Sequence, residues 1–182
     1  MKVSKEAAAA NRERILSQAA RLFRERGLSG VGVDALTQAA GLTHGSLYSR
    51  FGSKEALAAE AITYAFAGTA SKWGGIESLG KYADAYLSAA HRDGSGDGCT
   101  VAALGSEMPR QGSAVRRSFT DGVKRSMRRI ANLMPPGRQQ RREAEALAVI
   151  ATLLGTLILA RAVDDEELSD RILAAGRARV GK

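Results

Sequence analysis

Residues 32–51, Gly-Val-Asp-Ala-Leu-Thr-Gln-Ala-Ala-Gly-Leu-Thr-His-Gly-Ser-Leu-Tyr-Ser-Arg-Phe, leave this chain few ways to fold. Val33, Leu36, Ala39 and Ala40 recur at helical spacing and predict a first helix with one apolar face. Gly41 supplies the conformation that closes a helix in a sharp turn. Leu42 is placed to plug the gap between two helices, and Thr43 to cap the second through its hydroxyl. That second helix is short, about 44–51. Leu47 and Phe51 stand four residues apart and face inward, which leaves His44, Gly45, Ser46, Tyr48 and Ser49 outward or at the exposed N-terminal end. Helix-glycine-helix spacing by itself also fits an ordinary pair of core helices. A small polar helix presented in this way is what a helix-turn-helix lays in the DNA major groove.

Charge bears on that choice. The chain carries 27 Lys and Arg against 19 Asp and Glu, a formal +8, with a pI near 10.1. Such a surplus attracts an anionic partner at long range or serves solubility. Cys99 is the sole cysteine, so no internal disulfide forms and an intracellular setting is expected. The start, Met1-Lys2-Val3-Ser4-Lys5-Glu6, runs into alanines and then charges without an apolar core, unlike an ordinary signal peptide. The longest uncharged run, 146–160, has fifteen residues. A membrane span needs about twenty, so the run predicts a buried helix. The expectation is a soluble cytoplasmic protein with no membrane partner.

Periodicity predicts helices along the whole chain. A first helix over 4–26 turns Ile15, Ala19, Leu22 and Phe23 inward, carries Arg12, Arg14, Arg21, Arg24 and Arg26 on its other face, and stops at Gly27. Ser53 caps a fourth helix, with Glu55 in its first turn and Leu57, Ala61, Ile62, Ala65 and Phe66 along it, which frays at Gly74-Gly75. A fifth is expected over 76–91, then a flexible glycine-rich loop at 93–98. A short apolar helix over 99–108 ends near Pro109, and a longer one over 113–134 carries Val115, Phe119, Val123, Met127 and Ile130. The most hydrophobic helix, 138–163, presents Leu147, Ile150, Ala151, Leu154, Leu157 and Ile158 on one face and begins a second with Val149 and Leu153, which implies contacts on more than one side. A last helix over 166–179 adds Leu168, Ile172 and Ala175. No stretch alternates like a half-buried strand. The reading is all-α, with nine helices.

Several spaced motifs now agree in order: Ile15-Leu16 and Leu22-Phe23, Gly27, Ala-Gly-Leu-Thr at 40–43, Gly-Ser-Leu-Tyr at 45–48, Phe51, and Lys-Glu-Ala-Leu at 54–57. Over about residues 11–60 the chain resembles the TetR family of bacterial transcriptional regulators. The resemblance implies a TetR-like fold: an N-terminal three-helix DNA-binding domain, 1–55, with its helix-turn-helix at 32–51, and a C-terminal helical domain, 56–182, for ligand binding and dimerisation. It implies a homodimer on a near-palindromic double-stranded DNA operator, most simply a repressor released by a small-molecule effector. Carried over by position, Thr43, His44, Gly45, Ser46, Tyr48, Ser49 and Lys54 are the candidate DNA contacts, Tyr48 and Lys54 mostly to phosphate. Departures from the family pattern are Ser49 and Arg50 where an aromatic and a histidine are common, Gly32 where Thr or Ser usually caps, and Leu28 in place of a frequent aromatic. The expected dimer interface is Leu147, Leu154, Leu157, Ile158, Leu168 and Ile172.

Other chemistry is sparse. His44, His91 and Cys99 are the only imidazoles and thiol, too few to hold a metal. No catalytic constellation, cofactor motif or phosphate-binding glycine loop is apparent, and the chain is not expected to be an enzyme. Between Arg110 and Arg142 ten basic residues face one acid, Asp121, a solvated helix face or an attraction for an acidic effector. Trp73, Tyr86, Met108, Phe119, Met127 and Leu154 are candidates to line an effector cavity. The alternative functional class is a helical small-molecule-binding protein, or a redox sensor acting through Cys99.

Overall fold

The computed structural model describes residues 5–181, and its regular structure is helical throughout. Among the described residues there are ten α-helices: α1 (Lys5–Arg26), α2 (Val33–Ala40), α3 (His44–Phe51), α4 (Lys54–Trp73), α5 (Leu79–Tyr86), α6 (Ala89–Asp93), α7 (Thr100–Leu104), α8 (Ser113–Asn132), α9 (Gln139–Ala162) and α10 (Glu166–Val180). Two 3-10 segments, Ser95–Asp97 and Gly105–Arg110, flank α7. The expected start of the first helix at residue 4 lies outside the described residues.

The count exceeds nine because the expected helix over 76–91 is two. The backbone leaves helical geometry at Leu87, a fully buried side chain. Ser88 then caps α6, its hydroxyl accepting from the His91 N–H and donating to the Ala85 carbonyl. The 93–98 segment is no loose break either. Its 3-10 turn packs on α1, and Arg24 Nε donates to the Gly96 carbonyl at 2.6 Å. Arg24 is therefore half-buried rather than part of a solvated basic face. The expected helix over 99–108 is α7 followed by the 3-10 segment, with Pro109 inside the latter instead of just beyond a helix end.

Two apolar clusters hold the chain together. The first joins Ile15 and Phe23 of α1, Leu36 of α2, Leu47 and Phe51 of α3, Leu57, Ile62 and Phe66 of α4, Met108, and Val115 of α8. It draws on residues from both sides of position 55, so the N-terminal helices share their core with α4, α8 and the 3-10 segment between them. The second gathers Trp73, Tyr82, Tyr86, Leu87, Cys99, Ile130, Leu153, Leu157 and Leu173 around α5, α9 and α10. Within α2 the inward face holds Thr37, its hydroxyl donating to the Asp34 carbonyl at 2.9 Å, while Ala39 is exposed. On α9 the inward register is Ala146, Leu153, Leu157 and Ala160. This splits the single face expected for Leu147 to Ile158.

Candidate nucleic-acid interface

The turn between α2 and α3 is made by local chemistry. Gly41 sits at φ +63°, a left-handed position that a glycine takes without strain, and Leu42 packs against the first core. Thr43 Oγ1 caps α3, accepting from the Ser46 N–H at 3.2 Å, as expected from its position. Gly32, at the matching place before α2, makes no side-chain cap. Leu47 and Phe51 pin α3 to the core at 0% and 7% exposure, while Tyr48 is 47% exposed. The helix is thereby fixed in rotation, with one side apolar and buried and the other polar and open.

On that open side, Gly45 leaves its surroundings clear, with nothing within 4 Å of an added Cβ. Ser49 is exposed and donates to the Ser46 carbonyl at 3.1 Å. His44 Nε2 lies 2.5 Å from Asp34 Oδ1, linking the first turns of α3 and α2 through an exposed carboxylate that sequence reading did not single out. Lys54 is half-buried and donates to the Leu28 carbonyl at 3.0 Å. Of the basic residues on α1, Arg12 pairs with Glu60 and lies over the Phe51 ring at 4.6 Å, and Arg21 pairs with Glu25 at 2.8 Å. Those guanidinium groups are engaged within the chain.

Away from this surface, a cavity of two adjoining chambers lies where α4, α5, α7, α8 and α9 meet. The chamber without charged side chains, termed the inner one, is walled by Phe66, Trp73, Tyr82 and Tyr86, by Cys99, Thr100 and Val101, and by Ile150, Leu153 and Leu154. The outer one shares Phe66, Trp73 and Tyr82 and adds Arg125 and Arg129 of α8. Trp73, Tyr86 and Leu154 thus come together in one wall. Met108, Phe119 and Met127 do not. Met108 is buried in the first core, Phe119 packs edge-on against Phe66 at 5.9 Å, and Met127 faces a separate groove between α8 and the start of α9. Tyr82 is not among the expected cavity residues, although its four-residue spacing from Tyr86 puts both on one helix face.

His91 and Cys99 also meet, but not as base and nucleophile. His91 Nε2 accepts from the backbone N–H of Cys99 at 3.0 Å, and Nδ1 lies 2.6 Å from the Tyr86 carbonyl. A carbonyl accepts only, so Nδ1 carries the proton and the ring is neutral. Burial holds His91 down to a pKa of about 4, partly offset by the Tyr86 carbonyl. Among the described residues no group of three or more His, Cys, Asp or Glu side chains is placed to hold a metal ion.

The outer surface of α9 and α10 exposes four large apolar side chains among charged residues. Leu147 is 51%, Ile158 46%, Leu159 58% and Leu168 39% exposed. Three other residues expected at a dimer interface are placed differently. Leu157 is wholly buried in its own chain, Leu154 lines the cavity, and Ile172 is half-buried against the second core. By length and composition α9 is also apolar enough to cross a membrane, yet Leu153 and Leu157 sit in a core shared with α8 and α10.

Comparison with known proteins accords with this geometry. The family model for bacterial regulatory proteins of the tetR family matches residues 15–61, spanning most of α1 through the first turns of α4. An uncharacterized HTH-type transcriptional regulator of Mycobacterium tuberculosis, found in strains CDC 1551 and H37Rv, is 33% identical over 169 residues, covering 82% of this chain and 84% of the relative. In fold, the chain is similar to Escherichia coli NemR in its reduced form, with a TM-score of 0.77 at 20% identity over 94% and 95% of the two chains. It is equally similar to a TetR-family regulator from Cytophaga hutchinsonii, with a TM-score of 0.77 at 22% identity over 100% and 97%. The exposed polar side of α3, the family match across it and a relative one-third identical over most of both chains lead to one statement: this chain belongs to the tetR family of bacterial transcriptional regulators, which bind DNA through a helix-turn-helix.

Proposed function

We propose that this protein is a ligand-responsive repressor: a cytoplasmic homodimer that holds a near-palindromic operator and leaves it when a small molecule fills the cavity among α4, α5, α7, α8 and α9. The DNA-binding unit is 1–55 and the effector and dimer unit 56–182. The observation that carries the reading is the fixed rotation of α3, which keeps Leu47 and Phe51 in the core and leaves Tyr48 open. Gly45 lets the DNA backbone approach, and Thr43, His44, Ser46 and Ser49 offer polar groups at the leading end. Lys54 reaches a phosphate while keeping Leu28, since an ammonium has three donors. The exposed apolar residues of α9 and α10 supply the face for a second copy. An effector acts only by binding the two states with different affinity.

Selection of bound sequences from random duplex DNA tests the reading. The expected winner is a near-palindrome whose log affinity falls linearly with log salt. His44→Ala and Tyr48→Phe each weaken it by roughly 1 kcal/mol or more. Binding without sequence preference would overturn it. A second reading rests on the place of Cys99 in the cavity wall: a thiol whose oxidation is the signal. Operator release by peroxide that persists in Cys99→Ser rules that reading out.

A further inference from the structure

The cavity wall carries a specific chemical demand. Among the described residues four buried side-chain polar atoms have no hydrogen-bond partner, and two of them, Tyr86 Oη and Thr100 Oγ1, belong to residues of the inner chamber. Tyr86 is 4% and Thr100 1% exposed. The Cys99 thiol interacts with the Tyr86 hydroxyl without completing it, since sulfur is a weak partner. An unpaired buried hydroxyl costs about 1–3 kcal/mol. Two hydroxyls on the residues of one chamber wall can each donate to or accept from a single uncharged polar group, and a ligand hydroxyl serves in either sense.

The rest of the wall defines the body that goes with that group. Trp73 and Tyr82 meet edge to face at 5.6 Å, and Tyr82 and Tyr86 stack at 5.9 Å with 19° between planes. Such faces and edges suit a flat ring. The inner wall includes no Asp, Glu, Lys or Arg, and the two arginines line only the outer chamber. Burial pushes the Tyr82 and Tyr86 hydroxyls up and the adjoining His91 down, so the surroundings disfavour charge of either sign. An aromatic cage for a cation is thereby disfavoured. The two chambers are small, about 40 Å³ and 60 Å³, so a ligand spans both and extends to no more than about one ring.

We propose that the cavity takes a small uncharged aromatic molecule bearing a hydroxyl, its ring among Phe66, Trp73 and Tyr82 and its hydroxyl shared by Tyr86 Oη and Thr100 Oγ1. This deepens, and for its effect on DNA rests on, the reading of the cavity as the effector site. Trp73 is the sole tryptophan of the chain, so its fluorescence, excited at the red edge where small phenols are transparent, reports the chamber directly. The full chain is titrated with phenol, toluene and benzoate. Phenol is expected to saturate, with toluene and benzoate at least tenfold weaker. Tyr86→Phe and Thr100→Val each weaken phenol roughly three- to tenfold and leave toluene unchanged or tighter. Equal affinity for phenol and toluene, preference for benzoate, absence of phenol saturation, or phenol binding indifferent to both substitutions overturns the proposal. The same ligands are added to the complex with the selected operator. Phenol that binds beside Trp73 without loosening DNA leaves the ligand class standing and removes the effector role. Release by another compound without phenol saturation does the reverse.

Discussion

A single imidazole illustrates how residue chemistry reaches stability. His91 lies 5% exposed between the rings of Trp73 and Tyr86, and both its nitrogens are engaged. Protonating Nε2 would set a positive charge against the Cys99 N–H it accepts from. With the folded pKa near 4 and the unfolded value near 6.5, the unfolded chain binds the extra proton first as pH falls. The contribution is complete above pH about 6.5 and is lost progressively towards pH 4, at most roughly 3–4 kcal/mol. Urea midpoints measured from pH 7 to 5 are expected to fall for the native chain and to fall less for His91→Gln. Equal slopes would remove His91 as the cause. Gly122 makes a steric point of the same kind. A Cβ there would stand 2.2 Å from the Phe66 ring, so Gly122→Ala is expected to cost about 1–3 kcal/mol in denaturant unfolding. Inward residues such as Leu47 and Phe51 were legible from spacing. The partners of Arg24 and His44 were not, because a carbonyl contact 72 residues away and an ion pair across a helix-turn-helix leave no periodic trace.

At the scale of elements, helices announce themselves through caps and apolar period, and breaks hide when a capping residue is also an ordinary helix surface residue. Ser88 is such a case, lying within what reads as one continuous helix over 76–91. Tertiary packing also escapes local pattern. The turn after α1 is held by the side chain of Glu107, whose two oxygens accept from the N–H groups of Leu28 and Ser29, each at 3.1 Å. Lys54 holds the same turn through the Leu28 carbonyl. Gly27 sits at φ +77°, a left-handed position that glycine takes without strain, and the Glu107 carboxylate lies beside it. Glu107 stands directly after α7, the element whose N-terminal residues wall the cavity. Glu107→Ala removes the partner of the half-buried Leu28 N–H and hands the exposed Ser29 N–H to water, worth about 1 kcal/mol of local stability. Amide exchange at residues 28–31 is expected to speed up, and operator affinity to fall although α3 is untouched. Unchanged exchange would mean that the turn does not depend on this carboxylate.

For the whole molecule, assembly turns on what covers the exposed leucines and isoleucine of α9 and α10. Sequence alone gave α9 a wide apolar surface but not its rotation. The core takes Leu153 and Leu157, which leaves Leu147, Ile158 and Leu159 for whatever lies outside. Large apolar side chains left exposed on two packed helices suit an interface. If a second copy covers it, the two α3 helices act together, and operator affinity contains the gain from binding both half-sites at once. Ile158→Arg puts a charge in that interface without disturbing the chain's own core, since Ile158 is 46% exposed. The variant is expected to keep its helical circular dichroism and sediment as a monomer at micromolar concentration. Its operator affinity should drop by about a hundredfold or more. The slope of log affinity against log salt should also fall to roughly half, because one protomer neutralises half the phosphates. A variant that stays dimeric locates the interface elsewhere on the chain. A monomer that keeps full affinity and the full salt slope would show that one copy suffices, and the palindromic operator would lose its physical basis.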